Sequence, residues 1–220
     1  RIIDILPTRY TADLISYLIK FDTSHTEMFI SDMWTTYRDL AKELFPNACY
    51  VIDKYHYIRQ VIWAIEAVRK EVQLEFSDHR RKYLKRSKSL LIKRFDTLND
   101  DDKQAVNLML YTSPKLASAH ALKEAFFTAL KSQTRLEALS ALTTWIIHAE
   151  NSNLPRFVSV ANTLNNWFSG ILNSFETPYT NGFTEGTNNT IKVLKRNAFG
   201  YRNFNRFRNR ILHMDYAKNR

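Results

Sequence analysis

The sequence predicts a mostly helical α/β protein, in which a short layer of parallel strands is followed by a long helical segment. In residues 1–56, short apolar runs alternate with amphipathic stretches at helical spacing. From residue 57 to 175 no convincing strand pattern occurs. The 220 residues include only four glycines and five prolines, which favours long helices over a turn-rich β fold. We therefore expect an α/β core with a large all-α insertion.

The first 56 residues predict a β-α-β-α-β order with parallel strands. The predicted strands cover residues 2–6, 27–31 and 49–52, and the predicted helices between them cover 11–21 and 33–45. Polar or turn-forming residues follow each strand. Because the carboxyl ends of parallel strands meet at one edge of a sheet, acids at these ends are candidates for chemistry.

The middle of the chain predicts helices only. Their expected ranges are 57–86, 100–112, 114–131, 134–150 and 154–173. The four tryptophans lie on helical faces, and core packing is the expected role of Trp34, Trp63, Trp145 and Trp167. The segment from Arg59 to Arg94 holds eleven basic residues against four acids, a pattern that most often marks a solvated helix face.

The formal net charge of +10 is concentrated at the C-terminal end, where residues 192–220 hold nine basic residues and one acid, Asp215. Such a surface indicates a polyanionic partner or an anionic membrane surface. No apolar run reaches the ~18 residues of a membrane span. The single Cys49 excludes an internal disulfide and fits a reducing compartment.

Several enzyme classes lack their motifs in this sequence. It contains no glycine-rich phosphate loop, no Gly-x-Ser-x-Gly elbow and no His-Glu-x-x-His pair. Nucleotide hydrolysis, esterase chemistry and zinc-protease chemistry are therefore not supported.

A helix that starts between residues 181 and 184 would carry Glu185 with amide and basic side chains on one side. These are Glu185, Asn188, Asn189, Lys192 and Arg196. The opposite side carries Phe183, Thr187, Ile191, Leu194 and Ala198. The polar side could hold phosphates or a DNA strand. The alternative is a surface helix whose glutamate only complements the positive helix N-terminus.

The last predicted helix has the same division. Its apolar face carries Tyr201, Phe204, Phe207, Ile211 and Met214. Its polar face carries Arg202, Arg206, Asn209 and His213. Arginines on one exposed stripe can bind a duplex backbone through its phosphates. A basic helix that only keeps the domain soluble is the alternative.

Asp32 and Asp53 each follow an apolar strand-like run. Two acids held at strand ends, together with a helical glutamate, can bridge two magnesium ions ~3.5–4 Å apart for phosphodiester chemistry. The commoner role of a strand-end aspartate is to cap a helix, and Asp32 precedes one. Asp53 and His56 could share a metal, although a structural Asp–His pair is more frequent at this spacing.

These segments together resemble the C-terminal part of the catalytic domain of a DDE transposase of the ISL-three family of bacterial insertion sequences. The weaker motifs are Leu6-Pro7-x-Arg9, Ser31-Asp32-Met33, Phe45-Pro46-Asn47-Ala48 and Asp53-x-x-His56. The most specific is Asn181-Gly182-x-x-Glu185-Gly186-x-Asn188-x-x-Ile191-Lys192, continuing to Lys195-Arg196, with a tail at Gly200-Tyr201-Arg202-Asn203-Phe204 and Arg210-Ile211-Leu212.

The resemblance implies a ribonuclease-H-like core interrupted by a helical insertion. It makes Asp32 the second catalytic acid and Glu185 the third, both as ligands of two Mg²⁺ or Mn²⁺ ions in the intact enzyme. Asp53 and His56 would support the site. The residues implied to bind DNA are Asn188, Asn189, Lys192, Lys195, Arg196, Arg202 and Arg206. The implied partners are the ends of the insertion sequence and target DNA, with a possible homo-oligomer, no membrane, and a nucleoid-associated place in the bacterial cytoplasm.

The resemblance also implies that the first catalytic aspartate lies upstream of Arg1. We therefore expect a fragment with an incomplete core that lacks its first strands, and little or no catalysis by the fragment alone. The expected division is a partial core at 1–56, the helical insertion at 57–175 and C-terminal core helices at 176–220. The alternatives are a non-catalytic helical DNA-binding protein and a helical scaffold for an anionic protein partner.

Overall fold

A computed structural model describes residues 2–78, 81–82, 88–179 and 182–218. The chain folds into two units, the first formed by residues 1–49 and 180–220 and the second by residues 50–179. Asn181 of the predicted motif lies outside the described residues, and so does part of the predicted helix 57–86. In the described ranges, no helix combines the length and the apolar character needed to cross a membrane.

The described part of the chain is mostly helical, as predicted. In chain order the elements are α1 (Thr11–Leu18), β1 (Met28–Ser31), α2 (Thr35–Leu44), β2 (Cys49–Ile52), α3 (Lys54–Leu74), α4 (Lys88–Ile92), a 3₁₀ turn (Phe95–Thr97), α5 (Asp100–Tyr111), α6 (Pro114–Ala129), α7 (Arg135–Glu150), α8 (Pro155–Asn166), α9 (Phe168–Asn173), α10 (Gly182–Asn197) and α11 (Phe204–Lys218). Strands β1 and β2 form a parallel two-stranded sheet.

The predicted strand at residues 2–6 is wrong, because these residues form no regular structure. Side chains of α11 hold this segment instead. The backbone N–H of Ile2 donates to Oδ2 of Asp215 at 2.9 Å, and Nε of Arg208 donates to Oδ1 of Asp4 at 2.5 Å. A β-branched run becomes a strand only where a neighbouring strand completes its backbone hydrogen bonds, whereas these two contacts with α11 involve one backbone N–H and one carboxylate of this segment.

Two predicted helices have different ends from those expected. The helix expected over 57–86 begins earlier, at Lys54, and ends at Leu74. The helix expected over 154–173 is interrupted at Trp167, which separates α8 from α9. After the break, α9 approaches β2 closely at Gly170. A Cβ atom at this position would lie only 2.9 Å from Cγ1 of Ile52.

The second unit is a helical domain with an aromatic core. Helix α6 packs against α3, α5 and α7, while α8 packs against α3 and α7. The ring of Phe126 lies 6.4 Å from Tyr57 and 5.0 Å from Trp145, whose ring lies 6.5 Å from Phe157. The indole N–H of Trp145 donates to the carbonyl of Leu122 at 2.7 Å, so the buried ring leaves no polar atom unpaired.

In the first unit, α11 presents the two faces that the sequence predicts. Ile211 is fully buried, and Phe204, Phe207 and Met214 are half-buried. The polar side chains predicted on the opposite face, Arg202, Arg206, Asn209 and His213, are all exposed. The inward positions also include two charged residues, Arg208 and Asp215, which bind the N-terminal segment.

The ion pair between Asp4 and Arg208 predicts an acid-sensitive first unit. The Arg208 hydrogen bond lowers the pKa of Asp4 from 3.8 to about 2, although partial burial opposes the shift. Because the folded-state pKa lies below the unfolded value, the stabilisation is complete above about pH 5 and is lost as the pH falls towards 2. We expect Asp4→Asn to lower the melting temperature by a few degrees at pH 7. The variant should also show a smaller fall in melting temperature between pH 5 and 2 than the wild type.

Thermal melts followed by circular dichroism across this pH range check the prediction. Asp39→Asn is the matched control, because this exposed acid of α2 makes only a 3.7 Å surface pair with Arg38. An Asp4→Asn protein with the wild-type pH profile would contradict the assignment.

Candidate functional site

Asp32 follows β1 directly, as the sequence predicts. The residue is half-buried, and its Oδ1 is buried without a hydrogen-bond partner. The expected alternative was a helix cap, but Trp34 is the N-cap residue of α2 and no side chain caps this helix. Asp32 is therefore not used as a cap, and the unpaired oxygen requires another explanation.

The sequence analysis assigned no site role to Tyr37 or Arg9, and the charges of Asp32 and Arg9 both act on Tyr37. Burial raises the pKa of Tyr37, and the negative charge of Asp32 raises it further while Arg9 opposes the shift. The guanidinium of Arg9 lies 5.2 Å from the centroid of the Trp34 ring. Arg9 belongs to the Leu6-Pro7-x-Arg9 motif, which was therefore the available signal for a basic residue near Trp34 and Tyr37.

Asp53 follows β2 and is 5% exposed. Its Oδ1 accepts a 3.4 Å hydrogen bond from the backbone N–H of Tyr55, which makes Asp53 the N-cap of α3. Its Oδ2 is buried without a hydrogen-bond partner and lies 3.9 Å from Nε2 of His56. That distance is too long for a hydrogen bond, although a protonated imidazole would still be attracted to the carboxylate. The two side chains are thus neighbours, as the spacing predicts.

The buried oxygens fit a divalent cation. Burying a carboxylate oxygen without a partner costs the full free energy of its dehydration, unless an ion, a water molecule or a proton compensates for it. Carboxylate oxygens are the ligands that Mg²⁺ and Mn²⁺ prefer, and imidazole nitrogens are common ligands of transition-metal ions. Asp32, and separately the Asp53–His56 pair, therefore offer donor atoms suited to the expected metals.

Glu185 lies in the first turn of α10, whose observed start at Gly182 confirms the predicted start of this helix. Glu185 is half-buried, and the predicted DNA-binding residues of α10, namely Asn188, Asn189, Lys192, Lys195 and Arg196, are exposed. Of the predicted apolar side, the central Thr187, Ile191 and Leu194 are half-buried. Phe183, at the start of the same side, is 54% exposed.

The turn after α10 leads into the basic face of α11. The backbone N–H of Gly200 donates to the carbonyl of Lys195 at 2.9 Å, with Phe199 and Gly200 both at positive φ. Arg202 and Arg206 follow on the exposed side. Asp32 and Glu185 both belong to the first unit, and the convergence of their carboxylates on one metal site stays a prediction.

Comparison with known proteins gives a family. A family model described as "Transposase", for DDE transposases of the ISL-three type, matches residues 1–211. The transposase of insertion sequence IS1001 from Bordetella parapertussis is 33% identical over 177 residues, which cover 78% of this chain and 43% of that protein. The transposase of IS1557 from Mycobacterium tuberculosis is 25% identical over 190 residues, which cover 74% of this chain and 42% of that protein.

A Lactococcus lactis protein named "ATP-dependent protease" is 34% identical over 107 residues, which are 49% of this chain and 33% of that protein. The chain thus spans less than half the length of each of these relatives. No solved structure matches it significantly. The match of the family model over nearly the whole chain agrees with the motifs around Asp32 and Glu185, and the chain belongs to the ISL-three family of DDE transposases.

Proposed function

We propose that this chain is the C-terminal part of a catalytic domain, which in the intact enzyme cuts and joins DNA at the ends of an insertion sequence by metal-dependent phosphodiester hydrolysis and transesterification. Transposases bind DNA, and the family generally uses a divalent metal ion. The observation that carries the proposal is the buried, unpaired Oδ1 of Asp32 at the end of β1. The core around it is proposed to be ribonuclease-H-like.

Asp32 and Glu185 are the proposed metal ligands, together with a further acid that the resemblance places upstream of Arg1. When bound, Mg²⁺ or Mn²⁺ ions supply the Lewis acidity that activates an attacking water or 3′-hydroxyl and stabilises the leaving oxygen. Asp32, at the end of a strand, holds its carboxylate in a fixed place, which limits the motion of the reacting groups. A supporting role is proposed for Asp53 and His56, whose side chains are neighbours at the start of α3.

The exposed polar faces of α10 and α11 are the proposed DNA-binding surface. Lys192, Lys195 and Arg196 on α10 carry positive charge without burial, and Arg202 and Arg206 extend the charge to α11. Asn188 and Asn189 can donate amide hydrogens to phosphate oxygens. These contacts suit the ends of the element and target DNA in a nucleoid-associated bacterial enzyme, which is proposed to act as a homo-oligomer.

A metal-binding measurement on the 220-residue chain tests the role of Asp32. We expect Asp32→Asn to weaken Mn²⁺ binding by about 10- to 100-fold, because the amide removes one anionic ligand. Isothermal titration and the electron paramagnetic resonance of free Mn²⁺ measure the affinity. The exposed-acid variant Asp39→Asn is the control, and its affinity should equal that of the wild type. Equal affinities of Asp32→Asn and the wild type would remove Asp32 from the metal site.

A non-catalytic DNA-binding protein is the second candidate function. The exposed basic faces of α10 and α11 favour it, because they need no acid to bind phosphates. Both functions predict a steep loss of DNA binding with salt, so salt dependence does not separate them. Mn²⁺ binding that requires both Asp32 and Glu185 supports the enzyme, and its absence supports the binding protein.

A further inference from the structure

On the exposed side of α3, an arginine lies between two aromatic side chains. We call these three residues, Tyr55, Arg59 and Trp63, the α3 ladder. Their spacing of four residues places them on one face of the helix. The guanidinium carbon of Arg59 lies 5.1 Å from the centroid of the Tyr55 ring and 4.5 Å from that of Trp63. The cation is therefore stacked between two aromatic rings.

Both rings of the α3 ladder remain open to solvent. Tyr55 is 48% exposed and Trp63 is 53% exposed. The sequence analysis expected Trp63 in the core, and this is wrong, whereas Trp145 and Trp167 are buried as expected. The reason is that the opposite face of α3, which carries Tyr57, Val61 and Ile65, already faces the helical core. Trp63 thus contributes little to that core.

Arg59 has no acidic partner among the described residues, and the rings orient it instead. Its Nε is covered and makes no hydrogen bond. Further along the same helix, Arg69 is by contrast held by Glu66 through two hydrogen bonds of 2.7 and 2.9 Å. The positive charge of Arg59 is therefore fixed in place but not neutralised, which suits a negatively charged ligand.

We propose that the α3 ladder binds single-stranded DNA by stacking unpaired bases on Tyr55 and Trp63, with Arg59 attracting the adjacent phosphate. The proposal rests on the proposed function, since it concerns the DNA on which the enzyme acts. Base faces are available only in an unpaired strand, because neighbouring base pairs cover them in a duplex. Aromatic rings interleaved with a cation are typical of single-strand binding, and every base offers a ring face to stack on.

The test compares single-stranded and duplex DNA of equal length at one low salt concentration, using fluorescence anisotropy of labelled oligothymidine and of its duplex. We expect Trp63→Ala to weaken binding to the single strand by about 5- to 100-fold, since stacking contributes about 1–3 kcal/mol per base. Binding to the duplex should change less than about twofold. Trp63→Phe should keep most of the single-strand affinity, because phenylalanine preserves a ring face.

Tyr111→Ala is the matched control, since this tyrosine is 89% exposed at the end of α5 in the same unit but lies outside the ladder. It should leave both affinities unchanged. Trp63 lies outside the helical core, so Trp63→Ala should still unfold in one cooperative transition, which denaturant titration verifies.

Two further outcomes separate this inference from the proposed function. If Trp63→Ala leaves single-strand affinity unchanged, or lowers single-strand and duplex affinity equally, the base-stacking role is wrong while DNA binding stands. If the wild-type chain binds neither form of DNA at low salt, the proposed DNA-binding function fails, and the ladder proposal fails with it.

Discussion

Replacing Glu185 with glutamine in the full-length transposase should lower DNA cleavage by on the order of 10³-fold or more while leaving DNA affinity within about twofold. The amide keeps the size of the side chain in the first turn of α10 but removes the charge that a metal ligand needs. Loss of such a ligand removes several kcal/mol of transition-state stabilisation, and every 1.36 kcal/mol is about tenfold in rate. The exposed lysines and arginines that we propose as phosphate ligands remain unchanged in this variant.

The measurements are cleavage of a labelled element end and DNA affinity by anisotropy, each with the same protein preparation. Glu43→Gln, at an exposed glutamate of α2 in the same unit, is the control and should cleave at the wild-type rate. If Glu185 only complements the positive end of α10, its replacement should cost about 0.3–1 kcal/mol of stability and leave cleavage intact. Retained cleavage would therefore exclude Glu185 from the active site.

The largest effect on stability is expected at Lys123, the buried lysine of α6. Its side chain is 0% exposed, and its Nζ donates to the carbonyl of Leu91 at 2.8 Å and to that of Lys93. Nζ also lies 2.5 Å from Oε1 of Glu124, which accepts a 3.0 Å hydrogen bond from the backbone N–H of Phe95. Lys123 thus ties the end of α4 and the following turn to α6.

We expect Lys123→Ala to lower the free energy of unfolding by about 3–5 kcal/mol, because it leaves a cavity, removes the lysine donor from two carbonyls and removes the cationic partner of Glu124. Lys123→Met keeps the aliphatic part of the side chain and should cost less, about 1–3 kcal/mol. Its cost measures the contribution of the ammonium group and its hydrogen bonds. Denaturant titrations measure both values. Lys115→Ala is the control on the same helix, because Lys115 makes a 2.9 Å ion pair with Glu71 but is 40% exposed. It should cost at most about 1 kcal/mol.

His120 provides an independent readout of the Lys123 charge. Burial lowers the pKa of His120 to about 4, and the charge of Lys123 contributes to this shift. Nζ of Lys123 lies 3.4 Å from Nε2 of His120. Because this folded-state pKa lies below the unfolded 6.5, stability declines as the pH falls from about 6.5 to 4. Lys123→Met should raise the pKa of His120 in an NMR titration and reduce this decline. An unchanged free energy of unfolding in Lys123→Ala would show that the network does not stabilise the fold.

Local sequence signals determined the starts of three helices of the second unit. Each begins where a capping residue was available, since Asn99, Ser113 and Thr134 accept backbone hydrogen bonds at the starts of α5, α6 and α7. These starts lie within one residue of the predicted ones. A helix closes its hydrogen bonds within four residues and its cap within three, so the necessary information lies nearby in the sequence.

The candidate site was predicted as residue types at particular positions, and the roles of these residues needed the structure. Asp32 and Asp53 both follow strands, and the sequence could not say which of them caps a helix. In the structure Asp53 caps α3, while Asp32 keeps a buried oxygen without a partner. Arg9, whose charge acts on Tyr37 beside Asp32, was visible only as part of a motif.

By itself, the sequence determined the family, the helical character, the start of α10 and the exposed basic face of α11, because periodicity, caps and motifs are properties of neighbouring residues. Tertiary structure alone decided that residues 2–6 bind α11 instead of forming a strand, and that Trp63 faces solvent. Strand formation and burial depend on partners far away in the chain. Ile2 and Asp215 meet across nearly the whole length of the sequence, and no local pattern specifies such a contact.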